Sequence, residues 1–246
     1  MPPKPIPTHF LCIPLVTASS RPQLAASVGI FKQDVTSPDS FAIPSGAIRP
    51  VGTLHLTLGV MSFPKNEGVE KAVEVLKTIL PRKILSEIKA DDPTTPASNP
   101  EAETLTGSQR PLLSMTLKGL HSMQSPSKAT TLYASPVDPD GTLQKFCEKL
   151  KGAFEENGIM VTDKRPLLLH ATIVNTIYVK GRRQGKNREK VTIDAREIID
   201  RYEDQIWSED IPLEKIAICR MGAKDSEDGQ DQAYEIEAEI DAESSK

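Results

Sequence analysis

Apolar positions fall into short blocks whose spacing switches between two and about 3.6 residues, the periods of strand and helix. "THFLCIPLV" (8–16) reads as a first strand, and a helical stretch follows around 20–33. "TLHLTLGVMSF" (53–63) predicts a second strand. "GVEKAVEVLKTILPRKILSEI" (68–88) begins as an amphipathic helix with Val69, Ala72, Val73, Leu76 and Ile79 or Leu80 on one face. Pro81 is placed to end or kink it. Residues 89–111 are rich in Pro, Ser, Thr and acids without any period, which predicts a flexible surface loop. "LLSMTLKGL" (112–120) and "ATTLYASPV" (129–137) predict two strands joined by a turn. In "GTLQKFCEKLKGAFEENG" (141–158), Leu143, Phe146, Cys147, Leu150 and Phe154 form one apolar stripe, and Gly158 suits the C-terminal stop.

"LLLHATIVNTIYV" (167–179) predicts another strand and "DAREIIDRYEDQIW" (194–207) another helix. "EKIAICRMG" (214–222) and "AYEIEAEID" (233–241) close the chain as strands. The last alternates Tyr234, Ile236, Ala238 and Ile240 with four acids, so one face is expected buried and the other charged. Two strands, each with a matched motif, are each followed by a helix and two further strands. That order predicts an α+β fold of two similar lobes with paired strands facing across a cleft. One domain over 8–241 is expected, with an N-terminal extension (1–7) and a short tail (242–246).

At 246 residues with 38% hydrophobic and 26% charged content, the chain suits a globular domain with a sizeable core. No apolar run is long enough to span a membrane and no hydrophobic signal segment opens the sequence, so an intracellular protein is expected. Cys12, Cys147 and Cys219 lie far apart within apolar patterns, which predicts buried reduced thiols. The net charge of −4 is uneven: residues 225–246 carry nine acids and one base, leaving the body positive. A phosphate-bearing partner is compatible with that body.

The polar residues inside two apolar strands carry the chemistry. In "LHLTLGV" and "LHATIVNT", His55 with Thr57 and His170 with Thr172 stand two positions apart, so each pair shares a strand face. Leu54, Leu56 and Leu58 point away from the first pair, and Leu169, Ala171 and Ile173 from the second. Thr fills 18 of 246 positions, so two of four histidines followed by Thr at this spacing exceeds what composition supplies. His9 and His121 lack the pattern and are expected to be structural or superficial. Phosphodiester cleavage needs a base for the attacking oxygen and an acid for the leaving one, and two imidazoles supply both. Hydroxyls suit the non-bridging oxygens, where charge grows. Neither a metal nor a cofactor is needed, and no Cys or carboxylate motif completes a zinc site.

These motifs resemble those of the two-histidine (2H) phosphoesterases. "THFLCIPL", "TLHLTLGVMSF", "LLLHATIVNTIYVKGRR" and the late "LEKIAICRMGA" are similar to the A-kinase anchoring protein nuclear-localisation-signal domain type. Within it they resemble the phosphoesterase domain found in activating signal cointegrator complex subunit 1. The resemblance implies a bilobal, LigT-like fold, two pseudo-symmetric antiparallel lobes with outer helices around a central cleft. It also implies action on RNA ends or 2′,3′-cyclic phosphate nucleotides, with His55, Thr57, His170 and Thr172 as the catalytic four. His55 is assigned as acid and His170 as base, and the sequence leaves the reverse assignment equally open. Seven residues precede "THFL", so the KH-type region of the cointegrator subunit is expected to be absent.

The basic run "VKGRRQGKNREK" (179–190) places Lys180, Arg182 and Arg183 after the second motif, where they fit phosphate contacts, a solvated hairpin or an import signal equally. Tyr133, Tyr178 and Phe63 are candidates for base stacking, or for packing. Asn175 is expected to form a turn or support the site. The other reading is a nucleotide- or RNA-binding module of a larger nuclear complex without significant turnover, and a pure scaffold ranks last. RNA or nucleotide is the expected partner, without membrane contact, in nucleus or cytoplasm.

Overall fold

The computed structural model describes residues 6–90, 112–160, 165–179 and 191–243. Among these the chain opens with β1 (His9–Pro14), α1 (Ser20–Thr36) and β2 (His55–Met61). It continues through α2 (Val69–Thr78), α3 (Pro81–Ala90), β3 (Ser114–Ser122), β4 (Thr131–Val137) and α4 (Thr142–Glu156). β5 (Ala171–Asn175), α5 (Arg196–Arg201), β6 (Ile206–Pro212) and β7 (Lys215–Arg220) follow, and β8 (Lys224–Asp225), β9 (Gln232–Ala233) and β10 (Ile236–Asp241) complete it.

Two antiparallel four-stranded sheets form the lobes, in the orders β10–β7–β1–β2 and β5–β4–β3–β6; β8 and β9 pair as a small ribbon. Both motif strands, β2 and β5, are sheet edges, and they lie against each other at the middle of the molecule. The lobes do not follow the halves of the chain. β3 and β4, which come after the first motif, build the second sheet, while β7 and β10 return to complete the first. The repeated unit is therefore strand, helix, motif strand: β1–α1–β2 and β4–α4–β5. Each helix crosses over, α1 packing on β6 of the second sheet and α4 on β2 of the first.

Several elements are shorter than their apolar patterns suggest. Pro81 divides 68–88 into α2 and α3 and serves as the first residue of the second helix, where its missing N–H costs nothing. Residues 167–170 are not ladder-paired, so the second motif strand begins only at Ala171 and turns into a 3₁₀ helix at Thr176. The helix expected over 194–207 stops at Arg201, and Ile206–Pro212 forms β6, whose irregular polar sequence hid it. A bulge between Ile236 and Ala238 breaks the alternation of β10 and leaves Ile236 exposed. Residues 91–111 of the expected loop lie outside the described residues.

Beneath β2, Leu54, Leu56 and Leu58 are buried with Leu11, Ile13 and Leu15, each such side chain contributing about 1.5–3 kcal/mol by leaving water. The predicted stripe of α4 is wholly buried, and Gly158 ends that segment with φ +67°. A second, smaller apolar cluster of Phe10, Cys12, Ala217 and Cys219, with Tyr234 against it, stands apart from that core. Phe10 and Tyr234 touch the ring of His55, which places this cluster on the same side of the sheet as the motif. All three cysteines are free and buried, with the Sγ atoms of Cys12 and Cys219 3.8 Å apart.

Candidate active site

The register of β1 and β2 sets Pro14 opposite His55 and Cys12 opposite Thr57, so the first motif faces the cleft while the leucines between its members face the core. In the second sheet Tyr133 is opposite Thr172. His55, Thr57, His170 and Thr172 are all part-buried, partly open to solvent on the cleft side.

Each imidazole is oriented by the same local bond. His55 Nδ1 lies 2.7 Å from the Thr53 carbonyl oxygen, and His170 Nδ1 lies 2.8 Å from that of Leu168. A carbonyl oxygen only accepts, so both rings carry a proton on Nδ1, and Nε2 is the nitrogen left for chemistry. At His55 the Thr57 hydroxyl donates to Nε2 at 3.0 Å. Tyr133 stands edge-on to His170, with ring centroids 5.4 Å apart, and leads on to His121 at 5.5 Å. The exposed His121 thus extends the aromatic floor on the His170 side, although it lacks the motif.

The two histidines differ in their surroundings. Burial against Phe10 and Tyr234 is the main cause that lowers the pKa of His55 from 6.5 to about 4. The Thr53 carbonyl opposes this, while the charges of His170 and Arg49 push it further down. His55 is therefore neutral at pH 7, with Nε2 unprotonated.

The edges of the motif strands are stitched together by the segment that leads into β2. Ile48 bridges to Val174, and the Arg49 N–H donates to the Ile173 carbonyl at 2.8 Å. The next turn is pinned from the far end of the chain: Asp231 accepts the Gly52 N–H at 2.9 and 3.1 Å and holds Arg21 at 2.9 Å. Only glycine fits there, because a Cβ would sit 2.4 Å from the Gln232 carbonyl oxygen.

Arg49 and Tyr234 are the residues that sequence reasoning passed over. Arg49 is 5% exposed, and its guanidinium lies 3.7 Å from the centre of the Tyr178 ring. Burial raises the pKa of Tyr234 to about 12, with Tyr178 adding to the rise and Arg49 opposing it. The available signal was one cation within the otherwise apolar "AIRPVG". Of the other aromatic candidates, Tyr178 stays half exposed beside Arg49, whereas Phe63 is buried against His9 and takes no part in the cleft. His9 is a structural residue, 1% exposed and bonded to Thr8. The Asn175 side chain accepts from the Ile177 N–H and caps the turn after β5, a structural task. Lys180, Arg182 and Arg183 lie outside the described residues.

The profile of the AKAP7 2′5′ RNA ligase-like domain matches residues 7–242. Protein C15D4.13c of Schizosaccharomyces pombe (strain 972) is 28% identical over 215 residues, covering 87% of this chain and 86% of the other. Among solved structures, TT0787 of Thermus thermophilus superposes with a TM-score of 0.51 at 12% identity, covering 96% of this chain and 97% of that one. E. coli LigT, crystallised with 3′-AMP, gives 0.48 at 14% identity with the same coverage. The match over nearly its whole length shows that the chain belongs to the AKAP7 2′5′ RNA ligase-like family of the 2H phosphoesterase superfamily.

Proposed function

We propose that this protein is a metal-independent phosphodiesterase that acts on RNA ends or 2′,3′-cyclic phosphate nucleotides. Family membership supports phosphodiesterase-type activity in general. The observation that carries the narrower reading is that His55 on β2 and His170 at the mouth of β5 both have Nδ1 tied back to a backbone carbonyl, which turns Nε2 outward, towards the Thr57 hydroxyl at His55.

The unequal surroundings favour one distribution of roles, the reverse of that assigned from the sequence. Neutral His55, with its Nε2 lone pair, is the general base that takes the proton of the attacking water. His170, in its protonated form, gives a proton to the departing oxygen as the old P–O bond breaks. Thr57 and Thr172 donate to the non-bridging oxygens, where negative charge builds. Tyr133, edge-on to His170, supports a nucleoside on that side.

The likeness to the cointegrator phosphoesterase domain belongs to the same proposal, as does work within a nuclear assembly. It rests on the sequence likeness of "THFLCIPL" and "LEKIAICRMGA" alone. The test is hydrolysis of 2′,3′-cyclic nucleotides and of short RNAs with modified 3′ ends. His55→Ala and His170→Ala should each lower kcat by about 10²–10⁴-fold while circular dichroism is unchanged. A double variant as fast as wild type rules out the catalytic assignment. Tight binding without product across the panel favours a binding module instead.

A further inference from the structure

Arg49 is the most buried arginine among the described residues; its guanidinium bonds to the Tyr234 hydroxyl but leaves one arm unsatisfied. Arg21, Arg201 and Arg220 are more exposed, yet each holds a carboxylate. Arg49 makes no ion pair among the described residues, and its Nη2 is buried without a hydrogen-bond partner. Its charge lies over the Tyr178 ring and reaches His55 and Tyr234. A cation taken out of water without a counter-ion is costly, and stacking on one tyrosine recovers only part of that cost.

The charge balance of the cleft gives this cation a use. Of the four motif side chains only His170 can carry a positive charge while His55 is neutral, and both threonines are neutral donors. A phosphodiester arrives with one negative charge and gains more as the attacking oxygen adds. Arg49 is a permanent cation on the His55 side, anchored through its own backbone to β5 beside Thr172.

We propose that Arg49 is a third anion-binding group of the cleft, its unpartnered Nη2 receiving a non-bridging oxygen of the phosphate that His55 attends. Tyr178 covers the guanidinium when no anion is bound. Its ring is 44% exposed on a single 3₁₀ turn, and its hydroxyl bonds to that of Tyr234, so an entering anion exchanges contacts with this tyrosine. The assignment rests on the phosphodiesterase reading and adds to it a charge that the motif lacks.

Two measurements test it, and a third separates its failure from that of the underlying reading. In the wild-type protein, inorganic phosphate and adenosine 3′-monophosphate are titrated while the guanidinium resonances of Arg49 are followed by ¹⁵N NMR. These should shift and saturate together with those of His55; resonances that stay still while either probe binds overturn the proposal. Arg49→Met should weaken binding of both probes by about 10- to 100-fold, the loss expected for a charge-assisted hydrogen bond, and Arg49→Lys should restore part of it. Tyr178→Ala, which leaves the charge in place, should bind phosphate at least as tightly as wild type and serves where Arg49→Met does not fold. A folded Arg49→Met protein with wild-type affinity, or Tyr178→Ala with lost affinity, refutes the assignment. Cyclic-nucleotide turnover by wild type and His170→Ala is measured alongside. Wild-type turnover that His170→Ala abolishes, with affinity unchanged in Arg49→Met, sinks the Arg49 role alone; no binding and no turnover in wild type sinks both.

Discussion

Acidification should destabilise this protein in a way that is traceable to one ring. His55 has a pKa of about 4 in the folded protein and about 6.5 when unfolded, so its cation is disfavoured by folding. Above pH 6.5 both states are neutral there and the ring adds no pH dependence. Between 6.5 and 4 the unfolded chain takes up a proton that the folded one refuses, so stability falls as pH falls. Below 4 both states are protonated and the loss levels off. The full difference is on the order of 3 kcal/mol, less whatever solvent reaches the part-open ring, and about 1.4 kcal/mol is gone by pH 5.5. Burial of His9 also lowers its pKa, so the change must be isolated by difference. Urea unfolding of wild type and His55→Ala at pH 7.5 and 5.5 gives that difference, the variant losing less stability by roughly 1 kcal/mol. The same ring, followed by NMR, should titrate well below 6. Equal losses in the two proteins, or a midpoint near 6.5, would refute the claim that desolvation holds His55 neutral, and with it the choice of His55 as base.

Gly52→Ala places a methyl group 2.4 Å from the Gln232 carbonyl and close to the Asp231 carboxylate, so the ribbon must move away from the turn before β2. Thermal unfolding should show a loss of about 1–3 kcal/mol, and turnover should fall because the carbonyl of the next residue, Thr53, orients His55. Trp207→Phe removes the indole N–H that donates to the Gly119 carbonyl at 2.7 Å within the core beneath α1. It should cost about 1–3 kcal/mol in urea unfolding and leave kcat within twofold, since the change is remote from the cleft.

The sequence made some of this arrangement readable because the controlling forces are local. Period-two alternation in 53–63 requires His55 and Thr57 to share the face opposite the leucines, and the fold obeys it. The stripe of α4 and the break at Pro81 are equally local facts and were equally legible. The pairing of strands was not, because it depends on which distant segment covers an open edge. Nothing in "EKIAICRMG" states that it pairs with β1, some two hundred residues earlier, rather than with its neighbour β6. The crossing of α1 onto β6 is hidden for the same reason. Arg49 escaped notice because a single cation before a strand is common. Its meaning comes only from what surrounds it: buried, stacked on Tyr178 and lacking a carboxylate among the described residues. β6 was missed because "IWSEDIP" has no steady period; bulges against β3 absorb the irregularity.

The proposed mechanism raises a chemical difficulty in a fold with near-twofold symmetry, and the surroundings of the two rings offer an answer. General acid and general base must hold opposite protonation states at one pH, yet the two motif strands are built alike. Each histidine donates from Nδ1 to the carbonyl two residues before it, so the tautomer does not distinguish them. Strand position separates them little: β2 and β5 are both sheet edges, with His55 opening β2 and His170 immediately before β5. The difference comes from what the rest of the chain adds. The C-terminal return brings Tyr234 against His55, and β1 brings Phe10, so that ring loses water on two sides and has Arg49 near it as well. His170 has Tyr133 edge-on and no second aromatic ring against it among the described residues. Removing Tyr234 should therefore act through His55: Tyr234→Ala ought to raise the pKa of that ring towards 6.5 and carry the acid limb of any pH–rate profile up with it. A loss of rate with the limb unmoved would mean that Tyr234 serves packing alone, and the asymmetry would need another source.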